Sequence, residues 1–240
     1  YQSSIFMENK LESITFTNYG YLDFTLNLLK SIEKNEVDLE LSIYCTDIKS
    51  FNELENKGYK AINIISELES SNNKLEWEAG NEDFGLIMIK KFEAIYNSLT
   101  ENKLVLYIDG DVVIKKDITD YLCNKIGAND FLFQLDYNPK KTEQNDLCAG
   151  FMMIKSQEET LNLFNPNNLD IEKIIKLPSH DQTYLNQNKE SFKYSFLPIQ
   201  EFPNGAFFMN FETNPKIIHF NYLIGKNKKK TMQKCGEWYL

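Results

Sequence analysis

The stretch that decides the fold prediction is residues 104–114, which read LVLYIDGDVVI. Five apolar residues lead up to Asp109-Gly110-Asp111, and three more follow. A continuous apolar run of this length, bounded by a turn signal, is typical of a strand buried on both faces. The sequence therefore predicts two carboxylates, one residue apart, at the carboxyl end of a buried strand.

Strand and helix patterns alternate through the first half of the chain. We predict strands at 13–17, 39–44, 61–65 and 104–108, helices at 21–32, 47–56 and 84–99, and a polar loop carrying Trp77 at 70–80. This alternation favours a parallel sheet with helices on its faces. Ligands bind such sheets beyond the carboxyl ends of the strands, where Asp109 and Asp111 are expected to lie.

The second half has a more mixed pattern. We predict strands at 130–135, 151–154 and 217–220, helices at 158–164 and 181–188, and a turn at 202–205. No internal repeat and no low-complexity linker divides the chain. A chain of 240 residues can build one full-sized core. We therefore expect a single α/β domain over residues 1–240.

Charge and composition exclude some partners. The formal net charge is −9, which disfavours nucleic acid because phosphate contacts need a basic surface. All 26 basic side chains are lysines, so a phosphate must be held by lysine, backbone N–H groups or a metal rather than by a guanidinium. No apolar run approaches the roughly 20 residues of a membrane span. The four cysteines are scattered, which argues against a zinc module or a disulfide framework.

The two aspartates favour a hard divalent cation. In a regular strand, residues two apart point to the same side, and Gly110 lets the backbone approach a ligand closely. Mg²⁺ or Mn²⁺ takes oxygen ligands, usually one or two carboxylates together with substrate phosphates. A cation would also remove the repulsion between Asp109 and Asp111. The alternative is a pair of solvated aspartates in a turn, because Asp-Gly is also a hairpin signal.

Five segments, taken together, resemble the nucleotide-diphospho-sugar transferases of the A-type (GT-A) fold, close to glycosyltransferase family 77 and related to family 8. The D-x-D segment of that family is matched by LYIDGDVVI. The base-binding strand, the sugar-facing strand, the D-Q motif and the closing H-x-N…G-x-W signature are matched by ITFTNYGY (14–21), DLCAGFMMIKS (146–156), HDQTYLNQ (180–187) and IIHFNYLIGKNKKKTMQKCGEW (217–238). The resemblance implies a GT-A fold, which is a Rossmann-like mixed central sheet flanked by helices.

The resemblance also implies roles for individual residues. Asp109, Asp111 and His219 would bind Mn²⁺ or Mg²⁺. Asp181 would hold sugar hydroxyls and Gln182 would lie under the anomeric carbon, so these two are the catalytic candidates. The candidates for binding the nucleotide and the donor are Thr15, Thr17, Asn18, Tyr19, Lys91, Tyr107, Asp109, Gly110, Ala149, Gly150, Asn221, Gly225 and Lys229.

Two of the lysine assignments keep an alternative. Lys229 matches the family lysine that binds the diphosphate, and Lys226 is the second candidate. Lys91 matches a basic residue near the donor, but its helical spacing with Ile87 and Ile95 turns it toward the core. Lys90 is therefore the alternative to Lys91.

Three other residues also allow a structural interpretation. His219 ends an apolar run and can be a hydrogen-bonded core histidine. Asp181 can be an acidic residue favoured by the dipole at the start of a helix. Cys148 stands where the family often has asparagine, and a thiol is a weaker hydrogen-bonding partner for a sugar.

The function implied by the resemblance is metal-dependent transfer of a sugar from a nucleotide-diphosphate sugar, UDP-linked, with retention of anomeric configuration. The acceptor would be a carbohydrate, a glycoprotein or a glycolipid, and we expect a soluble cytoplasmic or host-cytoplasmic domain, with an upstream targeting or anchor segment left open. One alternative is a nucleotidyltransferase that makes sugar nucleotides, although TFTNYGYLDF lacks the Gly-rich loop that such an enzyme needs. The other is a nucleotide-sugar-binding protein without turnover.

Overall fold

A computed structural model describes residues 11–65, 82–221, 223 and 225–240 of the chain. The predicted loop at 70–80, with Trp77, lies outside the described residues. The strands are β1 Leu11–Thr17, β2 Leu41–Cys45, β3 Ala61–Asn63, β4 Leu104–Ile108, β5 Val112–Ile114, β6 Phe131–Leu135, β7 Leu147–Lys155, β8 Tyr194–Phe196 and β9 Ile217–His219. The helices are α1 Leu22–Lys34, α2 Ile48–Asn56, α3 Glu82–Glu101, α4 Thr119–Ile126, α5 Glu158–Phe164, α6 Ile171–Ile174, α7 His180–Gln187, α8 Gly205–Asn210 and α9 Gly225–Lys234.

A mixed sheet of seven strands forms the centre of the fold, in the order β3-β2-β1-β4-β7-β6-β8. Strands β1 to β4 are parallel, β7 runs antiparallel to both of its neighbours, and β8 is parallel to β6. Strands β5 and β9 form a second, antiparallel pair. The predicted α/β class with a mixed central sheet is confirmed. No helix in the described ranges is long and apolar enough to cross a membrane.

Side-chain alternation along β4 divides the core between the two faces of the sheet. Leu104, Leu106 and Ile108 pack on one face with buried residues of α1, α2 and α4. Val105 and Tyr107 pack on the other face with residues of α3, α5, α6 and α7. Because both faces of β4 are covered, all of its residues are apolar, which explains the continuous apolar run in the sequence.

The reversed direction of β7 determines where the functional residues meet. Strands β1, β4 and β6 end at the same edge of the sheet, and β7 begins there. The backbone N–H of Asp109, just after β4, donates to the carbonyl of Gly150 near the start of β7 at 2.7 Å. The D-x-D segment and the Ala149-Gly150 segment therefore lie side by side, although 40 residues separate them along the chain.

Sequence patterns missed several short elements of the second half. Helices α4 and α6 and strand β8 were not predicted; α6, with 4 residues, and β8, with 3, are too short for a clear period. The predicted turn at 202–205 is wrong at its end, because Gly205 already belongs to α8. Asn204 is the N-cap of this helix, and its side-chain oxygen accepts the N–H of Phe207 at 3.0 Å. Asparagine favours turns and helix N-caps alike, so its presence does not separate the two.

We predict that Leu106→Ala lowers the free energy of unfolding by about 2–5 kcal/mol, because it leaves a cavity in a fully buried strand. Leu240→Ala is the matched control, since Leu240 is 53% exposed and its truncation should change stability by less than about 0.5 kcal/mol. Chemical denaturation of both variants measures the difference. Equal losses in the two variants would contradict the assignment of β4 to the centre of the core.

Candidate active site

A cleft of about 850 Å³ opens at the carboxyl edge of the central sheet. It is bounded by the ends of β1, β4 and β6, the start of β7, α7 and α9. Residues that line it include Thr17, Asn18, Tyr21, Asp109, Gly110, Asp111, Asp136, Ala149, Gly150, Asp181, Gln182, Asn204, His219, Asn221, Lys226, Lys228, Lys229 and Trp238. Most of the predicted site residues therefore meet in one cavity.

Asp109, Asp111 and His219 form a compact cluster in this cleft. Ligand atoms of the three side chains all lie within 4.8 Å of one another. The two aspartates follow β4, and His219 ends β9, which pairs with β5 so that Val112 stands opposite His219. The short β5–β9 ladder thus carries the histidine to the aspartates from more than 100 residues away in the chain.

Hydrogen bonds behind His219 fix which ring nitrogen faces the aspartates. The Nδ1 atom lies 2.7 Å from the side-chain oxygen of Gln134, whose own amide nitrogen donates to the Phe202 carbonyl at 3.1 Å. Gln134 therefore presents its oxygen to the ring, and Nδ1 keeps its proton. The Nε2 atom points instead toward Asp111 Oδ1 at 3.2 Å. Such orientation of a histidine from behind is typical of metal-binding imidazoles.

Burial and charge make this cluster suited to a cation. His219 Nε2 and Asp111 Oδ1 are both buried, and although they lie 3.2 Å apart, neither makes a well-oriented hydrogen bond. Burial disfavours a charge on His219, but the Cys148 sulfur and the Asp111 carboxylate raise the pKa of the imidazole well above its usual value. Burial also raises the pKa of the Cys148 thiol. A divalent metal would satisfy both orphaned atoms and take the place of the Nε2 proton.

Lys228 is a site residue that the sequence analysis missed. Its Nζ forms an ion pair with Asp111 and lies 3.1 Å from the Tyr21 hydroxyl oxygen. Burial alone would raise the pKa of Asp111, but the charges of Lys228 and His219 lower it well below its usual value. One signal was available: Met232, the one apolar side chain of α9, is buried, and Lys228 lies one turn before it on the same side.

Lys91, rather than Lys90, reaches the site. Its Nζ donates to Asp181 Oδ2 at 2.7 Å and to the Ala149 carbonyl at 2.8 Å, and lies 3.4 Å from Asp109 Oδ1. Burial alone would lower the pKa of Lys91, but Asp109 and Asp181 raise it. Lys90 pairs with Glu93 at 2.5 Å on the outer side of α3. Lys91 therefore does face the core, where it belongs to a network of charged groups behind the cleft.

Asp136 is a second residue that the sequence analysis missed. Its two oxygens accept hydrogen bonds from the amide groups of Gln182 at 2.8 Å, Asn204 at 2.9 Å and Asn221 at 3.0 Å. Gln182 in turn accepts the backbone N–H of Ala149 at 3.3 Å. The signal lay in its position, because Asp136 follows the predicted strand at 130–135 just as Asp109 follows β4.

Some predicted donor-binding residues lie away from the cleft surface. Thr15 is fully buried inside β1, and Tyr19 is 45% exposed with its ring near Lys49. Tyr107 lies behind the cluster and donates its hydroxyl to Asp109 Oδ1 at 2.6 Å, while burial raises its pKa well above the usual value. Gly225 begins α9. Thr15, Tyr19 and Tyr107 therefore do not line the cleft.

Lys229 and Lys226 both line the cleft, but at its rim. Lys229 Nζ lies 3.9 Å from Asp23 and 4.6 Å from the centre of the Trp238 ring, with its side chain 43% exposed. Lys226 is exposed. Of the lysines of α9, Lys228 is therefore the one held next to the aspartates.

Gly150 has no room for a side chain. A Cβ atom there would lie 2.5 Å from Asp109 Oδ2 and 2.7 Å from His219 Nε2, so it would occupy the space between the cluster residues. A Cβ on Gly110 would lie 2.7 Å from the Thr25 hydroxyl oxygen. Both glycines allow the close approach that the D-x-D and Ala149-Gly150 segments make.

Solved glycosyltransferases have the same fold. The galactosyltransferase LgtC, solved in complex with donor and acceptor sugar analogs, aligns with a TM-score of 0.58 at 13% identity, over 94% of this chain and 95% of LgtC. The glycosyltransferase GlyE of Streptococcus pneumoniae TIGR4 aligns at 0.56 and 18% identity, over 94% of this chain and 60% of GlyE. Mouse xyloside xylosyltransferase 1 aligns with a TM-score of 0.55 at 11% identity, over 88% of this chain and 98% of the mouse protein. The fold is that of the GT-A glycosyltransferases.

Sequence comparison gives the family. The family model described as nucleotide-diphospho-sugar transferase matches residues 40–232, and the chain belongs to this family of glycosyltransferases. The chain is also 27% identical over 294 aligned positions to a UDP-galactose:fucoside alpha-3-galactosyltransferase of Dictyostelium discoideum, covering 98% of this chain and 45% of that protein. It thus spans less than half the length of this curated relative. The resemblance to nucleotide-diphospho-sugar transferases is confirmed.

We predict that Lys228→Met destabilises the metal-free protein by about 3 kcal/mol, because it leaves the Asp111 charge buried without its lysine. Mn²⁺ should recover much of this loss, since a divalent cation can neutralise the same carboxylate. Lys229→Met is the matched control and should cost less than about 1 kcal/mol, because that lysine is partly exposed. Urea denaturation with Mn²⁺ and with a chelator measures both. Equal losses in the two variants would contradict the assigned ion pair.

We also predict that Gly150→Ala weakens Mn²⁺ binding at least about tenfold, a change of about 1.4 kcal/mol, because its methyl group would intrude between Asp109 and His219. Isothermal titration calorimetry with Mn²⁺ alone measures the affinity. Gly58→Ala is the control: Gly58 has a positive φ of 79° but open space around it, so alanine there strains the backbone without touching the cluster. Undiminished Mn²⁺ affinity in Gly150→Ala would place the metal elsewhere.

Proposed function

We propose that this chain is a metal-dependent glycosyltransferase that moves a sugar from a UDP-sugar to a carbohydrate acceptor with retention of anomeric configuration. The observation that carries the proposal is the cluster of Asp109, Asp111 and His219, two of whose buried atoms make no well-oriented hydrogen bond, at the floor of a large cleft. Two carboxylates and one imidazole suit Mn²⁺, and the cleft leaves room for substrate phosphates as further ligands.

The proposed metal would be held by Asp109, Asp111 and His219. When bound, it would act as a Lewis acid on the departing diphosphate. Lys228, next to Asp111, and Lys229, at the rim, both line the cleft and would add positive charge beside the diphosphate. Lysines fill this role because the chain contains no arginine. Thr17 and Asn18, at the end of β1, would contact the nucleotide.

The name of the Dictyostelium relative suggests the donor and the acceptor to test first. That protein uses UDP-galactose and a fucoside, so we propose a UDP-hexose donor, with UDP-galactose as the leading candidate, and a fucose-terminated acceptor. Asp181 faces the cleft, and Lys91 holds one of its oxygens, which leaves the other oxygen for a sugar hydroxyl.

Bond making and breaking would occur on one face of the sugar. The bond between the anomeric carbon and the diphosphate oxygen breaks, the acceptor oxygen bonds to that carbon, and the acceptor proton passes to the departing diphosphate. Gln182 lines the cleft and would lie near the anomeric carbon, where its carbonyl oxygen could stabilise the developing positive charge. An amide is a poor nucleophile, so we favour attack within an ion pair over a covalent intermediate on Gln182.

The first experiment measures thermal unfolding with UDP, UDP-galactose, other nucleotide sugars and nucleoside triphosphates, each with Mn²⁺ and with a chelator. A ligand at 100 times its dissociation constant should add about 2.7 kcal/mol of stability. We expect a Mn²⁺-dependent shift with UDP and a UDP-hexose that is lost in Asp109→Asn. Asp38→Asn, an exposed aspartate far from the cleft, is the matched control and should retain the shift.

The second measurement follows sugar transfer to a fucoside and records the anomeric configuration of the product by NMR. Transfer with retention, at a rate that falls at least about a hundredfold in Asp109→Asn, is the expected result. A shift with nucleoside triphosphates alone would favour a nucleotidyltransferase. Binding of a UDP-sugar without transfer to any acceptor, and without hydrolysis, would favour a binding protein.

A further inference from the structure

Asp136 differs from the other carboxylates at the centre of the cleft. Asp109 and Asp181 are paired with Lys91, and Asp111 with Lys228. Among the described residues no lysine or histidine forms an ion pair with Asp136; its partners are the three neutral amides of Gln182, Asn204 and Asn221. A carboxylate that accepts three amide hydrogen bonds at 2.8–3.0 Å has its hydrogen-bonding capacity well satisfied by neutral groups.

The three amides come from separate parts of the fold. Gln182 lies on α7, Asn204 caps α8, and Asn221 follows β9. Asn204 and Asn221 share Oδ1 of Asp136, while Gln182 has Oδ2 to itself. The Oδ1 side therefore ties together two segments of backbone, and the Oδ2 side acts on one catalytic candidate alone.

The contact with Oδ2 decides which way the Gln182 amide faces. A carboxylate can only accept, so Asp136 requires the nitrogen of Gln182 on its side. The Gln182 oxygen then lies on the other side, where it accepts the backbone N–H of Ala149, a residue that lines the cleft. Terminal amide torsions are broad, so without this constraint the amide could turn over and present its nitrogen to the cleft.

We propose that Asp136 is a positioning residue that holds the carbonyl oxygen of Gln182, rather than its amide nitrogen, toward the anomeric carbon of the donor sugar. This inference rests on the proposed glycosyl transfer. An oxygen there stabilises the positive charge that develops on the sugar ring, whereas an amide N–H would oppose it. Asp136 acts through Gln182 and contacts neither the metal cluster nor the lysines of α9.

The test reverses the hydrogen-bonding pair. In Asp136→Asn, the amide oxygen at position 136 can still accept from Asn204 and Asn221, but its nitrogen faces the Gln182 nitrogen. Gln182 can then bond to residue 136 only by turning over, which gives up the hydrogen bond from the Ala149 N–H. In Gln182→Glu, two carboxylates oppose each other. In the double variant, the asparagine nitrogen donates to the glutamate, and the other glutamate oxygen again accepts from Ala149. Asp136→Asn should therefore be unfavourable when residue 182 is glutamine and favourable when it is glutamate.

We expect Asp136→Asn to lower kcat at least about tenfold in the otherwise wild-type protein and to raise it when Gln182→Glu is already present. The dissociation constant for UDP with Mn²⁺ should stay within about threefold, because neither residue touches the metal cluster or the α9 lysines. The midpoint of thermal unfolding should show the same reversal without any substrate. Asp38→Asn, tested with and without Gln182→Glu, is the matched control and should leave all three quantities unchanged.

The outcomes separate this inference from the proposed function. If the wild-type protein transfers sugar but Asp136→Asn lowers kcat by the same factor with and without Gln182→Glu, Asp136 only braces Asn204 and Asn221, and the inference is wrong. If no nucleotide sugar is bound or turned over, the proposed function fails, and the unfolding midpoints still decide whether Asp136 orients Gln182. A loss of UDP affinity that matches the loss of kcat would also overturn the inference.

Discussion

Negative charge concentrated at one edge of the sheet is the constraint on which the rest of this structure depends. Asp109, Asp111 and Asp181 lie within one network of ion pairs, and carboxylates this close would repel one another without cations between them. Lys91 enters from α3 and Lys228 from α9, each almost fully buried. Burying a lysine is costly unless its partners are close, so the aspartates and lysines hold each other in place.

The sheet topology makes this concentration of charge possible. Because β7 is reversed, Ala149 and Gly150 lie beside the end of β4 and bring a carbonyl oxygen to Lys91. The β5–β9 ladder brings His219 from the opposite side. Because Gly110 and Gly150 have no side chains, the segments around them can approach their neighbours closely. Backbone direction, rather than side-chain choice alone, determines that the ligands of one site meet.

What could be predicted from sequence depended on how local the signal was. The apolar run of β4 and the spacing of Asp109 and Asp111 lie within a few residues, so the strand and its terminal carboxylates were readable. His219 came from a family resemblance, because nothing in its own surroundings separates a metal ligand from a core histidine. Lys228 was hidden in a run of lysines, since only the way α9 packs decides which of them faces inward. Asp136 depends on three amides from distant segments, and no spacing in the chain records such a meeting.

The separation of the paired residues also bears on the order in which the protein folds. Asp111 and Lys228 are 117 residues apart, Lys91 and Asp181 are 90 apart, and His219 lies 85 residues beyond Gln134. Closing such long loops costs conformational entropy before the contacts contribute any stability, so these contacts form late. Strands β1 and β4 at the centre of the sheet also pair across a long stretch of chain, Leu11 with Leu104, so the sheet and the charged cluster both depend on distant contacts. A metal ion that required Asp109, Asp111 and His219 together could not nucleate this fold, because it could bind only after the chain had brought these three residues together.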